Sequence, residues 1–72
     1  MIDDLTVRVF SHPRYLSLIR DVTFRFCGIC GLEEELAGNL RLAVDEACSN
    51  VIKHAYHGDT SQRIIVKYSL SG

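Results

Sequence analysis

Four polar residues in the second half of the chain have types and spacing that suit phosphate chemistry. Glu46, Asn50 and His54 follow one another at intervals of four residues, and Lys53 directly precedes the histidine. Side chains four residues apart share one face of an α-helix, with Cβ atoms roughly 6 Å apart. A carboxylate can deprotonate a nucleophile, an amide oxygen is a hard ligand that suits Mg²⁺, and basic side chains can face phosphate oxygens. The row therefore predicts half of a Mg-nucleotide site.

The same spacing is also common on a solvated helix edge that does no chemistry. At 100° per residue the apolar residues of this segment form a stripe, which we expect to be buried. Its members are Leu36, Leu40, Ala43, Val44, Ala47 and Val51. The polar row borders this stripe, His54 falls within it, and Asn50 is a weak helix former. These features favour a helix edge beside a polar cavity, but the residues alone leave both interpretations open.

Four predicted segments position the row. The alternation of Leu5, Val7 and Val9 indicates a strand, and apolar residues at three- and four-residue steps indicate helices. In chain order we expect a strand over 5–10, a helix over 12–28, a helix over 33–56 and a strand over 63–70. This order predicts an α+β two-layer sandwich fragment with the helices on one face of a small antiparallel sheet. Two strands make a marginal sheet, so we expect either the front half of a larger fold or a sheet completed by association.

Length and composition set the class of protein. The chain has 72 residues, of which 47% are hydrophobic and 24% are charged, and its net charge is −1. These values are typical of a single globular domain, and the weak charge argues against nucleic acid or an anionic membrane as a partner. With neither a signal peptide nor an apolar run long enough to span a membrane, we expect a cytoplasmic protein.

Cys27 and Cys30 form a Cys-x-x-Cys motif, which suggests a function unrelated to nucleotide binding. Two such cysteines can form a redox pair or half of a zinc site, which would need two more ligands. The pair ends a predicted helix, whereas a thioredoxin-like pair opens one. We therefore expect these cysteines to be small apolar core residues, with a metal- or thiol-based sensor as the weaker alternative.

A family resemblance rests on residues 40–56, which read LRLAVDEACSNVIKHAY. This segment resembles the N-box helix of the GHKL ATPase superfamily, which includes histidine kinases and gyrase-type ATPases and has the pattern Glu-x-x-x-Asn-x-x-Lys-His-Ala. The local version, Ala-Val-Asp-Glu-Ala-x-x-Asn followed by His-Ala-Tyr, is most similar to the anti-sigma-factor serine-protein kinases. The resemblance extends over nearly the whole chain, but it covers only the first half of the family's domain.

The resemblance implies a fold, cofactors and roles for individual residues. The chain would be the front half of a Bergerat-type ATP-binding fold, with ATP and Mg²⁺ as cofactors. Glu46 would be the catalytic carboxylate, Asn50 would hold Mg²⁺, and Lys53 and His54 would lie beside the phosphates. The partners would be a sigma factor and an anti-sigma-factor antagonist protein, so that transcription is regulated by partner switching.

One departure from the family pattern limits this expectation. The later glycine boxes of the family, which begin with Asp-x-Gly-x-Gly, are absent from the 72 residues. We therefore expect the chain alone not to bind ATP with useful affinity. The alternative is a non-catalytic protein-interaction module derived from this fold, which forms a homo-dimer or exchanges strands with a second copy.

Overall fold

The first and last segments of the chain pair as the two strands of an antiparallel sheet. The computed structural model describes residues 2–71. Strand β1 spans Ile2–Phe10 and strand β2 spans Arg63–Ser71, with Val7 opposite Val66 at the middle of the register. Alternate residues of β1 lie on opposite faces, as in any strand. The face that carries Leu5, Val7 and Val9 is half-buried under the helices, and the other face is exposed.

Two helices cover that face of the sheet. A short 3₁₀ turn, Pro13–Tyr15, leads into α1, which spans Leu16–Ile29, and α2 spans Glu34–Asn50. The predicted strand–helix–helix–strand order and α+β class are confirmed. None of the helices among residues 2–71 is long and apolar enough to cross a membrane.

The connection between the helices depends on a glycine. Gly31 has φ of 79°, in the left-handed region that glycine adopts without steric cost. The amide of Leu32 donates to the carbonyl of Cys27 at 3.0 Å, and the amide of Gly31 donates to that of Gly28 at 3.1 Å. This bond pair is a Schellman motif, which ends a helix by satisfying its last carbonyls. It turns the chain from α1 into α2 within four residues.

The core lies between the helices and the sheet. Its buried residues are Ile19 of α1, Cys48 of α2, Ile52, which follows α2, and Ile64 of β2. Around it pack the half-buried side chains of Val9, Leu16, Val44, Tyr56 and Val66. Small residues supply much of the buried helix surface, since Thr23, Cys27 and Ala37 are also buried.

A buried pair of hydroxyls ties α1 to β2. The Thr23 hydroxyl donates to the Ile19 carbonyl at 2.7 Å, and its oxygen lies 2.6 Å from the Tyr68 hydroxyl. Because Thr23 has a single hydroxyl proton, Tyr68 is the donor in the second bond when Thr23 donates to Ile19. Both buried hydroxyls are therefore hydrogen-bonded. The Tyr68 ring also packs against the Phe26 ring, and the two ring centroids are 5.4 Å apart.

The predicted buried stripe of the second helix is wrong. Leu36 is 47% exposed and Leu40 is 38% exposed, while the buried residues of α2 are Ala37 and Cys48. The buried face is therefore rotated by about 80° from the predicted one. The reason is the width of the sheet. Two strands about 4.8 Å apart are narrower than two helices packed 8–10 Å apart, so the flanks of the helix layer have no strand beneath them.

A core substitution tests this packing. Ile19→Ala should lower the free energy of unfolding by about 2–5 kcal/mol, because it leaves a cavity at a side chain that is 1% exposed. A chain of this length has only about 4–11 kcal/mol in total. Urea denaturation followed by circular dichroism measures the change. The neighbouring Leu18→Ala, at a side chain that is 46% exposed, should cost less than about 1 kcal/mol. Equal losses in the two variants would contradict the described core.

Candidate functional site

The last turns of α2 position the two residues for which the sequence predicts catalytic and metal-binding roles. Glu46 and Asn50 are four residues apart on α2, and both are exposed. The adjacent acid, Asp45, is half-buried and accepts a 2.8 Å bond from the Arg20 guanidinium of α1. Of the two neighbouring carboxylates, Asp45 is therefore engaged in joining the helices. Glu46 remains accessible to a reacting group.

A change of helix type positions the two basic residues. The segment Val51–Ala55 is a π-helix, closed by a 2.9 Å bond from the Tyr56 amide to the Val51 carbonyl. The prediction of one regular helix over 33–56 is therefore wrong in its last turn, because a step of 100° per residue no longer applies. Lys53 and His54 are both exposed, so His54 does not lie within an apolar face as predicted.

Residues with left-handed backbone end this helical segment. His57 has φ of 51° and Gly58 has φ of 79°. The Gly58 amide donates to the Ile52 carbonyl at 2.8 Å, and the buried Ser11 hydroxyl donates to the Asp59 carbonyl at 2.6 Å. The first bond closes the end of the helical segment, and the second attaches it to Ser11, which directly follows β1. The basic residues therefore sit at a fixed end of the helix.

The four candidate residues have no partners among the residues that the structure describes. Glu46, Asn50, Lys53 and His54 make neither a hydrogen bond through their side chains nor an ion pair within residues 2–71. Their donor chemistry suits a Mg-nucleotide, because Mg²⁺ keeps several waters and takes its other ligands from single protein oxygens and phosphates. Exposure of these four side chains is equally typical of a solvated helix edge. The geometry of this chain alone is therefore consistent with both interpretations.

The metal-sensor alternative has no ligand set in the described part of the chain. Between residues 2 and 71, no group of three or more histidine, cysteine or acidic side chains is placed to hold a metal ion. Cys27 and Cys48 are buried, and Cys30 is half-buried at the end of α1. The placement of Cys27 and Cys30 matches the prediction of small side chains that pack near a helix end.

An apolar groove lies between α2 and β2. Its volume is about 290 Å³, and Val44, Ala47 and Val51 of α2 form one wall while Ile64 and Val66 of β2 lie in the other. None of the four candidate residues lines it. The structure therefore does not place the row in this groove.

Burial raises the pKa of two groups in the core. Burial raises the pKa of the Cys48 thiol above its ordinary value of 9.0, and the Asp45 carboxylate raises it further. Burial likewise raises the pKa of Tyr68 above 10.0. Both groups therefore stay neutral at physiological pH. Cys48 is consequently not a thiolate nucleophile, although it lies two residues from Glu46.

The ion pair between Arg20 and Asp45 is a positioning contact that the sequence does not reveal. Arg20 remains 41% exposed at its side chain while it pairs with Asp45. The two residues are 25 positions apart, and local spacing identifies charge pairs only within one helix. The complementary charges on two adjacent helices are the sole signal, and they do not specify which residues meet.

Alkaline pH should destabilise the fold through Cys48 and Tyr68. Because both pKa values are higher in the folded chain than in the unfolded chain, the full stability is present below about pH 9 and declines as pH rises through the folded values. Urea midpoints between pH 7 and pH 10.5 measure this. In Cys48→Ala the part of the stability decline that comes from the thiol should disappear. The free energy of unfolding should then begin to fall nearer pH 10. An unchanged pH profile in that variant would contradict the assignment.

The sequence of this chain matches a known protein family over most of its length. The sequence model of the histidine kinase-like ATPase domain matches residues 9–72. The match includes both helices, the π-helix and β2. It therefore covers all four candidate residues and most of the fold that positions them.

Curated relatives carry a more specific description. The chain is 33% identical over 70 residues to the serine-protein kinase RsbW of Listeria innocua, which covers 97% of this chain and 45% of the relative. It is 26% identical over 68 residues to the serine-protein kinase RsbW of Bacillus subtilis, which covers 94% of this chain and 42% of the relative. The chain thus spans less than half the length of the curated relatives it matches.

Proposed function

Because the chain belongs to the histidine kinase-like ATPase domain family, we propose that it forms the amino-terminal part of a Mg-ATP-dependent serine-protein kinase of the anti-sigma-factor type. The observation that carries the proposal is the exposed row of Glu46, Asn50, Lys53 and His54 at the end of α2, inside the matched region. The similarity to two serine-protein kinases named RsbW supports the reaction class.

Each residue of the row has a role in this proposal. Asn50 offers an amide oxygen to Mg²⁺, and Lys53 and His54 place positive charge beside the phosphates. Glu46 accepts the proton of the attacking serine hydroxyl, a role for which Asp45 is excluded by its bond to Arg20. Bound Mg-ATP supplies the phosphoryl group and the counter-charge. Since phosphoryl transfer depends mainly on positioning and charge neutralisation, these few side chains are sufficient for one wall of the site.

The polarity of the helix explains why side chains must supply the positive charge. Lys53 and His54 lie at the carboxyl end of the helical segment, where the helix dipole is negative and favours cations. A helix of this kind attracts phosphates at its other end, through unpaired amides. The phosphate-facing charge therefore comes from the two basic side chains and from the metal.

The partners follow from the anti-sigma-factor resemblance. We propose that the whole protein binds a sigma factor, phosphorylates a serine of its antagonist protein and thereby acts by partner switching in the cytoplasm. The 72 residues supply one wall of the nucleotide site. The apolar groove between α2 and β2 remains open, and the chain spans less than half of its relatives. We therefore propose that the chain alone is not competent to bind ATP.

A second candidate function is protein interaction without catalysis. It is favoured by exposed apolar side chains on the helices and the sheet, among them Ile29 at 70% and Ile65 at 54% exposure. Each strand of the two-stranded sheet also has one edge with no partner strand among residues 2–71. An unpaired strand edge is a template for pairing with another chain.

Direct titration tests whether the chain alone binds the nucleotide. Isothermal calorimetry with ATP and Mg²⁺ should show no saturable heat, because only one wall of the site is present. Saturable binding that Asn50→Ala abolishes and Asn39→Ala leaves intact would contradict this expectation and would place a working site in the chain. Asn39 is the matched control, because it is an exposed asparagine on the same helix.

A chimera tests the roles of the row. Residues 1–72 joined to the remaining segment of the Listeria innocua relative should bind Mg-ATP and phosphorylate serine. Asn50→Ala should weaken Mg-ATP binding by at least about tenfold, because the metal loses its protein ligand. Glu46→Gln should lower kcat by about 10²-fold or more with little change in nucleotide affinity. The controls are Asn39→Ala and Glu35→Gln. Full activity in Asn50→Ala and Glu46→Gln would refute the assignment.

A further inference from the structure

A groove lies between α1 and α2, apart from the sheet. Its volume is about 500 Å³, larger than that of the groove between α2 and β2. Its lining comes from the two helices alone: Asp21, Phe24, Arg25, Gly28 and Ile29 of α1, and Arg41 of α2. None of the four residues of the polar row lines it. Any function of this groove is therefore separate from the nucleotide site.

An aromatic ring holds one arginine at the wall of the groove. The guanidinium carbon of Arg41 lies 4.9 Å from the centroid of the Phe24 ring, which is half-buried. An arginine over a ring keeps N–H donors at its edge, and these suit the two oxygens of a carboxylate. The Arg41 side chain makes neither a hydrogen bond nor an ion pair with residues 2–71. It is therefore positioned, and available, to bind an acidic group of another molecule.

The charge of the lining is opposite to that of the whole chain. Arg25 adds a second exposed cation, and the acid of the lining is Asp21, one turn earlier on α1. Neither has an ion-pair partner within residues 2–71. Two arginines and one aspartate give the lining a net charge of +1, whereas the chain has −1. Asp21 disfavours an acidic ligand at its own end of the groove, so the acids of a ligand are directed toward Arg25 and Arg41.

Apolar space is available next to these charges. A Cβ atom built at Gly28 would meet nothing within 4 Å, so the space over this glycine is open. Ile29 beside it is 70% exposed, and the ring of Phe24 forms part of the same lining. A large apolar side chain that enters this space would be shielded from water on several sides, as anchor residues are at protein interfaces.

We propose that this groove binds a segment of another protein in which large apolar side chains are flanked by acidic residues. An apolar side chain fills the space over Gly28, against Phe24 and Ile29. A carboxylate on one side of it accepts hydrogen bonds from Arg41, and a second carboxylate faces Arg25. The inference deepens the protein-interaction function proposed above and rests on it, because it gives that function a surface and a partner chemistry.

Shape and charge favour a protein segment over other ligands. Two helices alone form the groove, so a small molecule would stay largely in contact with water, whereas small-molecule sites bury most of the ligand surface. The net charge of −1 disfavours nucleic acid. A helix or an extended segment covers the groove and both of its charged walls at once, as in other helix-in-groove complexes.

A synthetic peptide tests the ligand chemistry. The probe is the acetylated and amidated peptide Glu-Glu-Phe-Leu-Glu-Glu, added to the ¹⁵N-labelled chain up to millimolar concentration. Two-dimensional NMR should show saturable shifts of the amides of residues 24–29 and of Arg41. Replacing every glutamate of the peptide by lysine should weaken binding by about tenfold or more, because like charges then meet at both arginines. Replacing its phenylalanine and leucine by serine should have a similar effect, because the apolar anchor is lost.

Variants of the chain test the site. Gly28→Leu should fill the space and weaken peptide binding by about tenfold or more, while the urea midpoint stays unchanged or rises, because leucine favours a helix more than glycine does. Arg41→Glu should weaken binding by about tenfold or more through charge reversal. The matched control is Arg14→Glu, an exposed arginine of the 3₁₀ turn outside the groove lining. Its dissociation constant should change by less than about twofold.

Several outcomes overturn the proposal. They are a glutamate peptide that does not bind at millimolar concentration, a lysine peptide that binds equally well, and folded Gly28→Leu and Arg41→Glu variants that bind like the wild type. Saturable binding that maps to another surface would support protein interaction but would overturn the groove as its site. Because no variant touches the polar row, these outcomes are separate from those of the ATP experiments.

Discussion

The antiparallel pairing of β1 with β2 is the contact on which the rest of this structure depends. The two strands are separated by more than fifty residues of chain, so their pairing closes a long loop at an entropic cost that grows only slowly with loop length. The pairing offsets that cost by presenting one continuous half-buried face to both helices. Ile19 and Cys48 pack over this face, and the hydroxyls of Thr23 and Tyr68 link the first helix to the second strand. Without the strand pair, the two helices would pack only against each other.

The narrowness of the same sheet explains the exposed apolar surface. Helices need more lateral space than strands, and the two-stranded sheet lies under only the inner faces of α1 and α2. Ile29 and Leu36 consequently remain exposed on helices that are otherwise well packed. Open grooves follow on both flanks, one beside each strand.

The polar row of α2 combines an anchored inner side with an accessible outer side. Asp45 and Cys48 face the other helix and the core, where Arg20 and burial hold them. Glu46 and Asn50 lie on the exposed side of the same turns. A rigid helix that carries unpartnered polar groups is a suitable base for one wall of a binding site, because the groups are positioned by packing on the opposite face. The relatives are more than twice as long as this chain.

The sequence by itself determined the order and type of the elements, because alternation in 5–10 and helical periodicity in 12–28 depend on local side-chain spacing. It also determined the family, since Glu46, Asn50, Lys53 and His54 recur in a pattern that does not depend on knowing the fold. The tertiary structure decided which face of each helix is buried: the narrow sheet selects Ala37 and Cys48 over Leu36 and Leu40. It also decided that the helix ends in a π-turn and that Arg20 reaches Asp45. The buried faces and the ion pair arise from contacts between residues far apart in the chain, and local periodicity carries no information about them.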